Sequence, residues 1–256
     1  MELPRNAFKK NLAEGKLQLG FWSALCSPMV ADILSEAGYD WLVLDAEHSP
    51  NDPVDLMHQL MAMEHQSVTM PVVRVPWNDQ VFIKRVLDVG ARTLLVPMIE
   101  TAEQARAAVA ACRYPPEGMR GVAGSVRASR YGRIKDYHKR ANAEICLLLQ
   151  IETKPGLDAL EEIAAVEGVD GVFIGPADLS AALGYLGDNR NPAVREAILG
   201  ALARLKKAGK PAGILTPVEE DAKFWIEQGF GFVALGNDAA LLARQAEALR
   251  ARFKGK

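Results

Sequence analysis

The sequence predicts an α/β protein folded as a single (β/α)8 TIM barrel across residues 1–256. Three observations carry this. Short apolar runs alternate with helical spacing eight times along the chain. The runs are continuous rather than alternating, so both faces of each strand are buried, as in a parallel sheet. The length is one at which α/β barrels form one domain.

The elements follow in order. "LQLGFW" (17–22) reads as the first strand, and "PMVADILSEAG" as a helix stopped by Gly38. "WLVLD" (41–45) is the second strand, followed by the helix "PVDLMHQLMAMEHQ" (53–66), whose Pro53 suits a first turn. "PVVRVP" and "TLLVPMI" are strands, each followed by a helix, "DQVFIKRVLDVG" and "TAEQARAAVAACRY". Thr101 opens the latter as an N-cap. The second half repeats the plan with strands "EICLLLQIE", "GVFIG", "PAGILT" and "FVALG". Their helices are "PGLDALEEIAAVEG", "NPAVREAILGALARLKKAG", "VEEDAKFWIEQG" and "NDAALLARQAEALRARF". A doubly wound sheet is the runner-up, but no glycine fingerprint follows the first strand. The Gly-, Ser- and Arg-rich segment between Tyr114 and Ala143 is too long for a plain connection and is expected to serve as a lid or substrate loop.

Composition excludes several classes. A net charge of −2 gives no field for nucleic acid or an anionic membrane. No apolar run approaches the roughly 18 residues of a spanning helix. The polar start "MELPRNAFKKNLAEGK" is no secretory signal. Cys26, Cys112 and Cys146 are odd in number and far apart, which fits a reducing cytoplasm.

Strand C-terminal ends form the active face of such a barrel. Asp45, Glu47 and His48 lie at the second, Arg74 at the third, Gln150 and Glu152 at the fifth, and Asp178 just past the sixth. Burying such groups needs a ligand or metal. Singly each has a plain reading: Asp178 as a helix N-cap, Glu152 as a salt-bridge partner of Lys154, His48 as a solvated loop residue. Together, two carboxylates without cysteine suit a hard divalent ion, with positions left for a chelating 2-oxo acid. Arg74 would face the developing enolate and His48 would move the proton. Trp22 and Leu215, also near strand ends, are further candidate substrate contacts.

The stretches "DWLVLDAEHSPND", "PVVRVPWNDQVFIKRVLDVG", "RYPPEGMRGV", "LLLQIET" and "VEGVDGVFIGPADLSAALGYLG" closely resemble the HpcH/HpaI aldolase family, over about residues 8–253. The resemblance implies class II, metal-dependent pyruvate aldolase chemistry, with Mg²⁺, Mn²⁺ or Co²⁺ held by Glu152 and Asp178. It implies His48 as proton acceptor, Arg74 as transition-state stabiliser, and Gln150 and Ala177 as substrate contacts. Asp88 matches an aspartate that raises the histidine's basicity, a role that would need it to reach a histidine of a neighbouring subunit; Asp45 is its rival. It also implies a homohexamer, a trimer of dimers with the terminal helix exchanged; by residues alone, Leu241, Leu242, Ala246 and Leu249 could cover the barrel or a neighbour.

Three departures bear on the substrate. Ala46 stands where the motif has glycine. The segment "GVAGSVRASRYGR" has the length of the glucarate type, but its "RASR" resembles the heptanedioate type, as does the C-terminal helix. The expected substrate is therefore 4-hydroxy-2-oxoheptanedioate, cleaved to pyruvate and an aldehyde, with 2-dehydro-3-deoxyglucarate as the alternative. Hydroxypyruvate in place of pyruvate stays open. Arg127 and Arg130 are candidates for the distal end of the substrate. The competitors are a Schiff-base aldolase, for which no strand offers a lysine, a CoA-dependent lyase, and a non-catalytic oxo-acid-binding barrel.

Overall fold

The computed structural model describes residues 1–64 and 68–254. Eight parallel strands close into a barrel in sequence order. They are β1 (Gln18–Ser23), β2 (Trp41–Asp45), β3 (Met70–Arg74), β4 (Thr93–Val96), β5 (Cys146–Ile151), β6 (Gly171–Ile174), β7 (Ala212–Leu215) and β8 (Phe232–Asn237). The helices are α1 (Ala7–Ala13), α2 (Pro28–Ser35), α3 (Pro53–Met63), α4 (Gln80–Asp88), α5 (Ala102–Cys112), α6 (Tyr137–Glu144), α7 (Lys154–Asp158), α8 (Leu160–Ala164), α9 (Pro176–Ala182), α10 (Pro192–Lys207), α11 (Glu219–Gln228) and α12 (Asp238–Lys254).

Two apolar layers hold the barrel. Outward-facing Leu42, Leu44, Val73, Leu94, Leu149 and Ile174 pack under the helices. Inward-facing Trp22, Trp41, Val43, Leu148, Phe173 and Phe232 fill the interior. The aromatic filling is possible because Gly20 leaves room: a Cβ there would lie 2.1 Å from the Trp41 ring. Phe8 and Leu12 of α1 join this inner layer, so α1 closes the N-terminal end of the barrel.

Several sequence expectations need correction. The run 155–168 is not one helix but two short ones, α7 and α8, meeting at Ala159. α1, α6 and α9 were not anticipated. The third helix is described to Met63; His65 and Gln66, which the sequence reading placed in it, lie outside the described residues. β4 stops at Val96 because Pro97 has no N–H for the ladder and Met98 takes a left-handed conformation, φ 56°. The segment after Tyr114 leaves α5 and enters β5, which puts it at the N-terminal end of the barrel, not at the mouth. α12 does not cover the barrel: from Leu241 onward its residues are exposed. Its root is fixed by Asp238, which accepts hydrogen bonds from the Ser23 hydroxyl and from the Ala24 and Leu25 N–H groups.

Candidate active site

The mouth is built outward from β2 and β3. Their register sets Asp45 opposite Arg74 at the C-terminal ends of the strands. The Arg74 guanidinium donates from Nε at 2.8 Å and Nη2 at 2.7 Å to the two Asp45 oxygens. Nη1 lies 2.7 Å from Glu47 Oε2. The plane rests over the Trp22 ring, 5.0 Å from its centroid. A guanidinium forked onto one carboxylate, touching a second and stacked on indole is fixed in direction. Trp22, 4% exposed, supports Arg74 from below.

Glu152 stands opposite, one residue past β5. Its Oε1 accepts from the Met98 N–H at 3.0 Å and its Oε2 from Gln150 Nε2 at 2.5 Å. The left-handed turn at Met98 is what aims that N–H inward. Gly175 admits the carboxylate to this position, since a Cβ there would sit 2.3 Å from Glu152 Oε2. Lys154 is exposed and is not its partner. Gln150 keeps its Oε1 buried and without a hydrogen bond among the described residues.

Asp178 is the third residue of α9, not its N-cap, which is Gly175. It is exposed over the mouth, and Ala177 beside it lies in the first turn, where helix N–H groups lack backbone partners. His48 is also open, with 65% of its side chain exposed. Its Nε2 is 3.9 Å from Glu47 Oε1. The Asp45 oxygens are occupied by Arg74 and the Glu47 N–H, so Asp45 supports Arg74 rather than the imidazole.

The electrostatics at this end are out of balance. Asp45, Glu47, Glu152 and Asp178 share the mouth with Arg74. Burial pushes the Glu47 and Glu152 carboxyls up to about 7, and the negative charge of Asp178 adds to both. Asp45 is buried too, but its bonds from Arg74 outweigh that and hold it below the usual range. Crowded carboxylates that resist ionisation mark a place for a positive ligand. Among the described residues no group of three or more His, Cys, Asp or Glu could hold a metal ion unaided. Glu152 and Asp178 are two hard oxygen donors, and an ion held by them would take most of its ligands from substrate and water.

Other sequence-predicted residues lie elsewhere. Asp88 ends α4, five residues before β4 begins, and so sits at the opposite end of the barrel from His48. It accepts from Arg120 Nη2 at 2.7 Å. Arg127 and Arg130 both pair with Glu64, at the same far end. Within one chain these three residues do not reach the mouth, which corrects the expected placement of the distal contacts. Leu215 ends β7 at the mouth side. Glu47, placed at the mouth by the sequence, was given no role there. Its signal was present, an acidic residue between a strand end and His48, but its burial depends on the closure of the loop over Arg74.

A family model described as HpcH/HpaI aldolase/citrate lyase matches residues 18–245. The chain is 54% identical to a pyruvate aldolase of Rhizobium etli, over 99% of each chain. It is 51% identical to the 5-keto-4-deoxy-D-glucarate aldolase of Escherichia fergusonii, over 97% of each. Among solved structures, a HpcH/HpaI aldolase/citrate lyase family protein from Burkholderia cenocepacia has a TM-score of 0.93 at 42% identity, covering 96% of this chain and 98% of that one. These names favour the sugar-acid alternative over the heptanedioate-type substrate.

Proposed function

This chain belongs to the HpcH/HpaI aldolase/citrate lyase family, and from that premise we propose that it cleaves a 2-dehydro-3-deoxy sugar diacid to pyruvate and a carboxylated aldehyde. The observation that carries the reading is the unneutralised group of carboxylates opposite a fixed guanidinium at the barrel mouth. The names of the relatives supply the substrate: 5-keto-4-deoxy-D-glucarate is the same kind of acid numbered from its other end.

Glu152 and Asp178 are the proposed holders of a divalent ion, Mg²⁺, Mn²⁺ or Co²⁺. When bound, such an ion supplies Lewis-acid polarisation of the 2-oxo group. The Ala177 N–H offers its donor to the pyruvate half, and the free Gln150 Oε1 accepts from a substrate hydroxyl. His48 takes the proton from the C4 hydroxyl. The C3–C4 bond breaks, its electrons pass to C3, and the aldehyde leaves. Arg74, held by Asp45 and Trp22, stabilises the negative charge that develops on the pyruvate enolate. Glu47, beside both Arg74 and His48, fixes their separation. Protonation at C3 gives pyruvate.

Among the described residues no strand carries a lysine, which weighs against a Schiff-base route. The exposed Leu241, Leu242, Leu249 and Phe253 of α12 are explained if that helix docks on a neighbouring copy in a hexamer. The test is pyruvate release, coupled to lactate dehydrogenase, from 2-dehydro-3-deoxyglucarate and 4-hydroxy-2-oxoheptanedioate, with EDTA and with metal restored. Faster, EDTA-sensitive cleavage of the sugar acid supports the reading. Indifference to EDTA, or no pyruvate from either acid, defeats it.

A further inference from the structure

A cavity of about 290 Å³ lies one strand round from the carboxylates, between the connection from β6 to α10 and the turn from β7 into α11. Its mouth-side wall includes Pro176, two residues from Asp178, and Leu215. Its apolar base is Ile198 and Trp225, both buried.

The polar wall carries Arg190, Arg195, Asp188 and Asp221. The Asp221 carboxylate, 8% exposed, takes Arg195 Nη1 at 2.8 Å and Arg190 Nε at 3.1 Å. One carboxylate thus serves two guanidiniums. Arg195 is locked, with its guanidinium 4.3 Å from the Phe224 ring centroid and 5.1 Å from that of Trp225. Arg190 is held less firmly: its Nη2 reaches Asp221 Oδ1 only at 3.5 Å, 63% of its side chain is exposed, and its Nη1 has no hydrogen-bond partner among the described residues. Asp188 also lines the cavity, but its Oδ2 accepts from Asn191 Nδ2.

We infer that Arg190 is a specificity residue that pairs with the far carboxylate of the substrate, the one that leaves on the aldehyde. This rests on the sugar-diacid reading above. The argument is electrostatic. The mouth already holds Asp45, Glu47, Glu152 and Asp178, so a second substrate carboxylate is repelled from it. The cavity beside Asp178 offers a guanidinium that shares its ion-paired carboxylate with Arg195 and keeps Nη1 free to donate to a second carboxylate. Lys154 also stands at this end of the barrel, but it is exposed and does not line the cavity.

The experiment compares two substrates that differ only at the far end: 2-dehydro-3-deoxyglucarate, which ends in a carboxylate, and 2-dehydro-3-deoxygluconate, which ends in a hydroxymethyl group. The quantity is the ratio of their kcat/KM values. Arg190→Gln should lower this ratio by about tenfold or more, through the KM of the diacid, because a charge-assisted hydrogen bond is lost. Arg190→Lys should recover part of it, and Lys154→Gln should not move it. If both substrates fall together in Arg190→Gln, Arg190 only clamps the loop to Asp221 and the inference is overturned. Oxaloacetate decarboxylation, which needs only the pyruvate half of the site, separates the two levels of failure. Wild type that decarboxylates oxaloacetate yet cleaves neither sugar acid overturns the substrate reading and this inference together. Wild type that cleaves the diacid, with a ratio indifferent to Arg190→Gln, overturns this inference alone.

Discussion

The two ends of this barrel bury charge in opposite ways. At the N-terminal end the buried charge is matched, although Arg120 Nε and Nη1 and the Tyr114 hydroxyl are buried without hydrogen-bond partners among the described residues. Asn6 caps α1 and donates to Arg92 O, Thr93 Oγ1 and Glu144 O. Arg120, with no exposed side-chain surface, is paired with Asp88 and lies 4.3 Å over the Tyr114 ring centroid. At the C-terminal end Arg74 is shared by Asp45 and Glu47, while Glu152 has neutral donors and, among the described residues, no cation in contact. The difference separates charge buried for stability from charge buried for chemistry. The first is neutralised inside the chain; the second waits for a ligand.

The largest expected effect comes from the mouth. Glu152→Gln should lower kcat/KM on the order of a thousandfold, since the ion's polarising role is lost. It should not lower the melting temperature without metal, because the carboxylate it removes is unfavourably buried. A lower melting temperature would mean that Glu152 is structural and would erase the contrast between the ends.

Asp88→Asn tests the other end. It leaves Arg120 buried and unpaired, which should cost about 3 kcal/mol of stability in denaturant melts. If Asp88 instead serves a histidine of another copy, as the family resemblance implies, the pH profile of kcat/KM will shift as well. That result would join the two ends across a subunit boundary.

Arg74→Lys keeps the charge but loses the fork onto Asp45. Activity should fall about a hundredfold, mostly in kcat. A loss confined to KM would assign Arg74 to ground-state binding.

The smallest effect is on pH dependence. Glu47 and Glu152 have carboxyls raised to about 7 in the folded chain from a usual value of 4.5. The folded state therefore holds more protons than the unfolded state between those values. Stability of the metal-free protein should be fullest below about pH 4.5 as far as these two groups are concerned. It should decline as pH rises towards 7, and added Mn²⁺ should restore it most at the upper end. A flat melting profile across this window would show that the mouth carboxylates ionise freely.

Much of this arrangement was legible in the sequence. The strands read correctly because each is an unbroken apolar run, and their order follows from repetition. The pairing of Asp45 with Arg74 was not legible: the sequence offered Asp45 as a partner of His48, and only the register of the two strands sets it against the guanidinium. What was not legible depends on tertiary context. The break at Ala159 lies inside an unbroken apolar pattern. The burial of Glu47 depends on loop closure. The basic segment after Tyr114 has the composition of a substrate loop, yet it precedes β5 rather than following a strand, so chain direction alone places it at the far end. Asp221 and Arg190 carry no motif, and only the fold brings them to one cavity.

The most direct test of the central claim is a calorimetric titration of Mn²⁺ into the protein in the presence of pyruvate, at pH 6 and pH 8, for wild type and Glu152→Gln. The account predicts that wild type binds more tightly at pH 8, releasing protons at pH 6, and that Glu152→Gln loses most of the affinity at both. Equal affinity in the two proteins would contradict it.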